Sequence, residues 1–302
     1  MKPTTTLDQF ERTANGLLVR APAKINLSLL ITGKRPDGFH GIETLMAKVA
    51  WYDELCFEPA QTDGIDLICT GPHWAPDGEE NLVSRACRML YERAGLSPSI
   101  RITLTKNIPA GTGLGSASSD AAAAVLGLNR FANLNQPLSV LNEICTLLGS
   151  DISFFLGGPL AYCTGRGEKI YSMNEKFDFC AGLILPDLSV STKDVYGSYV
   201  HNTQQYHDLS ESINPFLKEK RIDSVAKICA NMLAKSCFGL YPQLEQIKQD
   251  CERLCNLKVC LSGSGSAMYV LIPGPLEKFL QLQDDMKKKY NCESRVVYNN
   301  RW

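Results

Sequence analysis

Residues 109–120 read PAGTGLGSASSD and run directly into AAAAVLGLN. No other stretch restricts the fold as strongly. Glycines at 111, 113 and 115 form the most permissive backbone in the chain. The alanines at 121–124 are among its best helix formers. The first N–H groups of a helix have no internal partner and sit in a positive dipole field. A glycine loop that enters such a helix can therefore cradle an anion, and a phosphate above all. Ser116, Ser118 and Ser119 would add hydroxyl donors. The same spacing also suits a plain strand–helix turn with packing glycines. It is not a Walker loop, because GxxxxGK[ST] is absent and no lysine follows the glycines. Nor is it the dinucleotide fingerprint G-x-G-x-x-G, because the order here is G-x-G-x-G.

The rest of the chain predicts a mixed fold. In LLVRAPAKINLSLLI, Ile25, Leu27, Leu29 and Ile31 fall on one strand face and Lys24, Asn26 and Ser28 on the other. GKRPDGFHG is a turn. ETLMAKVAWYDELCFEP, GIDLICTG, SIRITLTKNIP, AYCTGRGEKIYSM and FCAGLILPD read as strands. ENLVSRACRMLYERAG reads as a helix stopped by Gly95, and LSVLNEICTLLG as one stopped by Gly149. VAKICANMLAKSC, YPQLEQIKQDCERL and EKFLQLQDDMKKKY also read as helices. VCLSGSGSAMYVLI reads as strand, glycine turn, strand. Strands and helices mix without βαβ regularity, which predicts an α+β fold. A chain of 302 residues suggests two domains. The Gly/Pro-rich stretch near 160–180 places the boundary, taken as 1–165 and 166–302.

Composition narrows the function. A net charge of −1 argues against nucleic acid and anionic membrane as partners. The apolar runs are strand-sized, too short to span a bilayer. MKPTTTLDQFERTANG is polar and contains acids, so it is expected to be an extension or an edge element and not an address. A cytoplasmic location is the expectation. Twelve cysteines lie scattered in apolar patterns and are expected as buried, reduced thiols. Cys251, Cys255 and Cys260 lack a CxxC or histidine partner, which excludes a zinc site.

Three stretches in order, APAKINLSL, the glycine loop and LSGSGSAMYVL, resemble the GHMP kinase family of galacto-, homoserine, mevalonate and phosphomevalonate kinases. PAKINLSLLITGKRPDGFHGIETL, ENLVSRA, IPAGTGLGSASSDAAAAVLGLN and LLGSDISFFLGGPLAYCTGRGE narrow the resemblance. It points to the branch acting on a cytidine-diphosphate-linked methylerythritol in the non-mevalonate isoprenoid pathway. The resemblance runs from about residue 20 nearly to the end, with little signal over 200–250. It implies a two-domain kinase, with an N-terminal domain like the second domain of ribosomal protein S5 and a ferredoxin-like C-terminal domain. ATP and Mg²⁺ would serve it, and the γ-phosphate would pass to the 2-hydroxyl of the acceptor. The alternatives are another small-molecule kinase of the family, for homoserine or a mevalonate derivative, or a non-catalytic nucleotide-binding protein.

The resemblance also carries residue roles, each beside a plainer one. Asp151 matches the catalytic aspartate; by itself it reads as an N-cap for ISFFLG. Lys24 matches a lysine beside that aspartate; most strand lysines face solvent. Asn26 would bond the hydroxyl-bearing end of the substrate. Phe39 and His40 fall in the cytosine pocket, or are a loop anchor and a surface histidine. The family often has tyrosine where this chain has Phe39; stacking survives that change. Thr192 and Tyr196 match a substrate threonine and a second aromatic wall, or an ordinary helix start. Gly263, Ser264 and Gly265 match the third kinase motif, or a hairpin turn. Pro109, Ala110, Gly111, Thr112, Gly113, Leu114, Gly115, Ser116, Ala117, Ser118 and Ser119 would hold the ATP phosphates. Asn81 would lie near the adenine, or cap a helix. The family pattern is GLGGGSSDAA against GLGSASSDAA here, so Ala117 would be strained by roughly 1 kcal/mol if its φ were positive and unstrained if helical. Asp120 is a metal ligand by position only, or a backbone cap; the metal ligands are otherwise unassigned.

Overall fold

The computed structural model describes residues 7–174, 177–274 and 276–302. The first six residues of the expected N-terminal extension lie outside that set. The remainder of the extension supplies an edge element, β1 (Phe10–Arg12), paired antiparallel with β2 (Leu17–Lys34). β2 and β3 (His40–Pro59) form one long antiparallel pair. β4 (Gly64–Thr70) runs parallel to β5 (Ser99–Thr105), with α1 (Leu82–Ala94) as the crossover. α1 ends where expected, because Gly95 takes the left-handed conformation at φ 69°. α2 (Ser116–Phe131) and α3 (Leu138–Leu148) come next, then β6 (Leu160–Gly165) and β7 (Lys169–Ser172). β3 pairs β5 with one end and β6 with the other, which opens the seven-stranded sheet.

The second sheet comprises β8 (Cys180–Leu185), β9 (Val259–Leu261), β10 (Met268–Leu271) and β11 (Glu293–Tyr298). Its order is β11-β8-β10-β9, and every pair is antiparallel. That is the ferredoxin-like order the resemblance implied. The change of sheet falls between Ser172 and Cys180, inside the 160–180 stretch and a few residues past 165. Between β8 and β9 lie α4 (Thr192–Gly197), α5 (Thr203–Lys218), α6 (Ile222–Ile228), α7 (Ala234–Leu240) and α8 (Pro242–Cys255). α9 (Glu277–Tyr290) precedes β11.

Two expectations fail here. VAKICANMLAKSC is not one helix. Cys229 turns left-handed at φ 57°, and Asn231 bridges to Leu29 of β2, so the segment splits into α6 and α7. A tertiary contact overrides local propensity. Nor are all cysteines reduced: Cys229 and Cys260 form a disulfide with Cα atoms 5.4 Å apart. Of the other ten, Cys56, Cys69 and Cys180 are half-buried and the rest buried.

β2 is buried on both faces. Its first half packs Val19 and Ala21 with Phe57, α1 and α2 in one core. Its second half packs Ile25, Leu27, Leu29 and Ile31 with Leu183, Met268 and Tyr269 in the other. The polar face, Lys24, Asn26 and Ser28, is therefore also enclosed, each at 5% exposure or less.

Candidate active site

The glycine loop enters α2 through Gly115, the N-cap, at φ 73°. Ala117 lies within α2 and is not among the positive-φ residues, so it is unstrained. The loop is clamped from two sides. Lys24 N donates to Leu114 O (2.9 Å), and Ala267 N to Thr112 O (2.9 Å). Ser262 Oγ donates to Gly113 O (3.0 Å). A Cβ on Gly113 would stand 2.1 Å from Ser262 O, so only glycine fits this crossing. Two glycine motifs nearly 150 residues apart thus meet back to back. Ser264 Oγ lies 2.8 Å from Thr192 Oγ1, which ties the second motif to the start of α4.

Beneath the loop lies a charge cluster that the sequence did not announce. Lys106, 1% exposed, donates to Asp53, Asp120 and Ser116. Asp53 also accepts from Ile108 N (2.8 Å) and Asn107 N (2.5 Å). Burial raises the Asp120 carboxyl well above the usual carboxylate range, with Lys106 opposing it. Asp120 is thus neither a backbone cap nor a group facing the cleft; Lys106 holds it under the loop. Lys106 precedes the glycines, and a lysine at a strand end reads as solvated until Asp53 is seen opposite.

Above the loop opens a cleft of about 820 Å³. Lys24 and Asp151 both line it. Lys24 is 3% exposed and donates to Asn26 Oδ1 (2.5 Å). Asn26 Nδ2 donates to Thr44 Oγ1 (2.8 Å), and Thr44 to Ser28 O (2.6 Å), so the row is fully oriented. Burial lowers the Lys24 pKa, and the charge of Asp151 opposes that fall. Asp151 sits in the turn ahead of the 3₁₀ helix Ser153–Leu156; the N-cap there is Ile152, so the capping role does not form.

The far end of the cleft is aromatic. His40 lies 5.5 Å from Tyr196 between ring centroids, tilted at 32°, and 5.7 Å edge-on from Tyr199. Burial pushes the His40 pKa down, and a neutral imidazole offers one donor and one acceptor nitrogen. Phe39 is 55% exposed, with the Arg166 guanidinium 4.4 Å over its ring.

The fold therefore brings Lys24, Asn26, Phe39, His40, Gly111, Gly113, Gly115, Ser116, Ala117, Ser118, Asp151, Thr192, Tyr196, Gly263 and Ser264 around one cavity. Pro109, Ala110, Thr112, Leu114, Ser119 and Gly265 do not line it. Asn81 stands apart. Its Oδ1 accepts from Val83 N (2.9 Å) and its Nδ2 donates to Pro76 O (2.8 Å), so its amide is spent on capping α1. Sequence reasoning passed over Thr44, Lys34, Arg166, Lys193 and Tyr199. A separate cavity of about 630 Å³ beside the Cys229–Cys260 disulfide holds none of these groups.

A glycine loop at a helix N-terminus that lines one cleft with a buried lysine and an aspartate, over these two sheets, is the build of a small-molecule kinase. The chain belongs to the GHMP kinases: residues 81–159 match the GHMP kinases N terminal domain and 213–291 the GHMP kinases C terminal. It is an ATP-dependent phosphotransferase acting on a hydroxyl group. The 4-diphosphocytidyl-2-C-methyl-D-erythritol kinase of Bacillus cereus is 34% identical over 85% of this chain and 88% of its own. That of Prosthecochloris aestuarii is 38% identical over 84% and 88%. A crystal structure of 4-(cytidine 5'-diphospho)-2C-methyl-D-erythritol kinase superposes with a TM-score of 0.74 at 29% identity, over 94% of this chain and 99% of that one.

Proposed function

We propose that the chain transfers the γ-phosphate of ATP to the 2-hydroxyl of 4-diphosphocytidyl-2-C-methyl-D-erythritol, a step of non-mevalonate isoprenoid synthesis. One observation carries the reading: Lys24, Asp151, the glycine loop and the His40 and Tyr196 rings all line one cleft, which supports a phosphate end and a base end in the same site. A second aromatic end has no purpose for homoserine or mevalonate, which carry no base.

The free N–H groups at the start of α2 and the loop glycines receive the polyphosphate. Asp151 orients the acceptor hydroxyl and takes its proton as the new O–P bond forms and the γ–β bridge breaks, releasing ADP. Lys24 offsets charge on Asp151 and on the moving phosphoryl group. Asn26 holds the lysine in place. His40 reads the polar edge of the base between aromatic walls. The distant cytidine contributes the binding energy that aligns a small, flexible polyol.

A protein-built Mg²⁺ site does not fit the described residues. They contain no group of three acidic, histidine or cysteine side chains able to hold a metal, and Lys106 occupies Asp120. Mg²⁺ suits this site as a companion of ATP, held by phosphate oxygens.

The test is ADP release with Mg-ATP and four acceptors: the cytidine-diphosphate methylerythritol, homoserine, mevalonate and phosphomevalonate. Turnover of the first alone is expected. Turnover of another acceptor discards the base pocket. ATP binding without turnover on any acceptor makes this a binding protein.

A further inference from the structure

The charges around the cleft are lopsided. Its lining holds Lys24, Lys34, Arg166 and Lys193, against a single carboxylate, Asp151. The last three cations have no ion pair among the described residues. The nearby acid Asp37 bonds Arg35 (3.1 Å) and Phe39 N (3.2 Å), and the charge of Arg166 also acts on it. Lys34 ends β2 beside His40, Lys193 opens α4, and Arg166 tops the β6–β7 turn.

Arg166 is the best organised of the three. Its guanidinium carbon lies 4.4 Å from the Phe39 ring centroid, a cation–π contact that holds the group over the ring. Its neighbour Gly167 packs against Asp151: a Cβ there would lie 3.2 Å from Asp151 Oδ1. Arg166 therefore touches Phe39 of the aromatic end while the next residue in its turn borders Asp151. In an acceptor that places a base at one end and a hydroxyl at the other, the linking diphosphate must cross that interval. A planar guanidinium with free edges is the side chain that binds phosphate oxygens in pairs.

We propose that Arg166 is a specificity-determining residue that grips the diphosphate bridge of the acceptor, using Phe39 as its platform. Lys34 and Lys193 supply diffuse charge, and Arg166 supplies direction. This inference rests on the cytidine-diphosphate reading above.

The experiment measures binding of CDP and of cytidine to the full chain, with a saturating non-hydrolysable ATP analogue blocking the nucleotide site. Wild type, Arg166→Ala and Arg166→Lys are compared, each checked for an unchanged melting temperature. Wild type is expected to prefer CDP. Arg166→Ala should weaken CDP about tenfold and leave cytidine unchanged. Arg166→Lys should restore part of the loss. In turnover, Arg166→Ala should raise KM for the acceptor, with kcat and KM for ATP near wild type. Equal loss of CDP and cytidine would make Arg166 a prop for Phe39 and overturn the proposal, as would a rise in KM for ATP alone. A wild type that binds neither ligand and turns over mevalonate or homoserine would remove the underlying reading itself.

Discussion

Single residues do their work here by being buried where their type is normally exposed. Asp151 keeps its shape as asparagine but loses its proton-accepting oxygen. Asp151→Asn is expected to cut kcat by about 10²- to 10⁴-fold while KM for ATP holds, as steady-state kinetics will show. Rates near wild type would take Asp151 out of the mechanism. Lys48 makes the clearest pH statement. It is 1% exposed, and its ammonium donates to Phe155 O (3.1 Å) and Gly157 O (2.6 Å), just beyond the Asp151 turn. Burial pushes its pKa down to about 7. Below that pH both states hold the proton, and the fold bears the full cost of a buried charge. Above it the native lysine lets go while the unfolded one stays charged up to about pH 10. The unfolded state then binds more protons, so stability should rise from pH 7 to about 9, by up to about 1.4 kcal/mol per unit. Lys48→Met should flatten that rise. Denaturant titrations at several pH values test it; an equal slope in both proteins would refute the assignment. Neither this lysine nor Lys106 could be told from a surface lysine by spacing, because the partners that decide it come from other strands.

At the scale of elements, the glycine loop was readable in advance and its clamps were not. Flexible backbone next to strong helix formers marks a helix N-terminus whatever surrounds it. That Gly113 crosses the Ser262–Ser266 turn is a matter of how two distant segments pack. Gly113→Ala combines a φ of +81° with a Cβ 2.1 Å from Ser262 O. It is expected to cost about 2 kcal/mol or more and to raise KM for ATP sharply. Ala117→Gly is the control. Ala117 is already helical, so glycine there should lower stability by at most about 1 kcal/mol and leave ATP binding intact. Thermal melts and ATP titrations on the pair separate the two; better ATP binding by Ala117→Gly would show that alanine does strain the loop. The stretch 200–250 was poorly readable for a related reason. α5 carries Pro215 inside it, α6 and α7 have seven residues each, and the break at Cys229–Asn231 answers to β2, far away in sequence.

For the molecule as a whole, the two sheets are not independent. β2 carries residues of both cores, and Tyr269 of the second sheet is fully buried with its hydroxyl donating to Asn26 O (2.9 Å). Tyr269→Phe leaves that carbonyl without this donor. It should cost about 1–3 kcal/mol and also lower kcat, because Asn26 orients Lys24. Calorimetry should show one cooperative transition in both proteins; two separated transitions would mean the halves fold alone. Most of the strands and helices, and the glycine loop at the start of α2, were recoverable from the chain itself. Local backbone preference and motif order determine those, and both are written in neighbouring residues. The enclosure of the Lys24 face, the Lys106 cluster, the helix-capping use of Asn81 and the platform under Arg166 were decided by the tertiary structure alone. Each depends on which distant groups share a buried volume, since burial and charge pairing act through space and not along the chain.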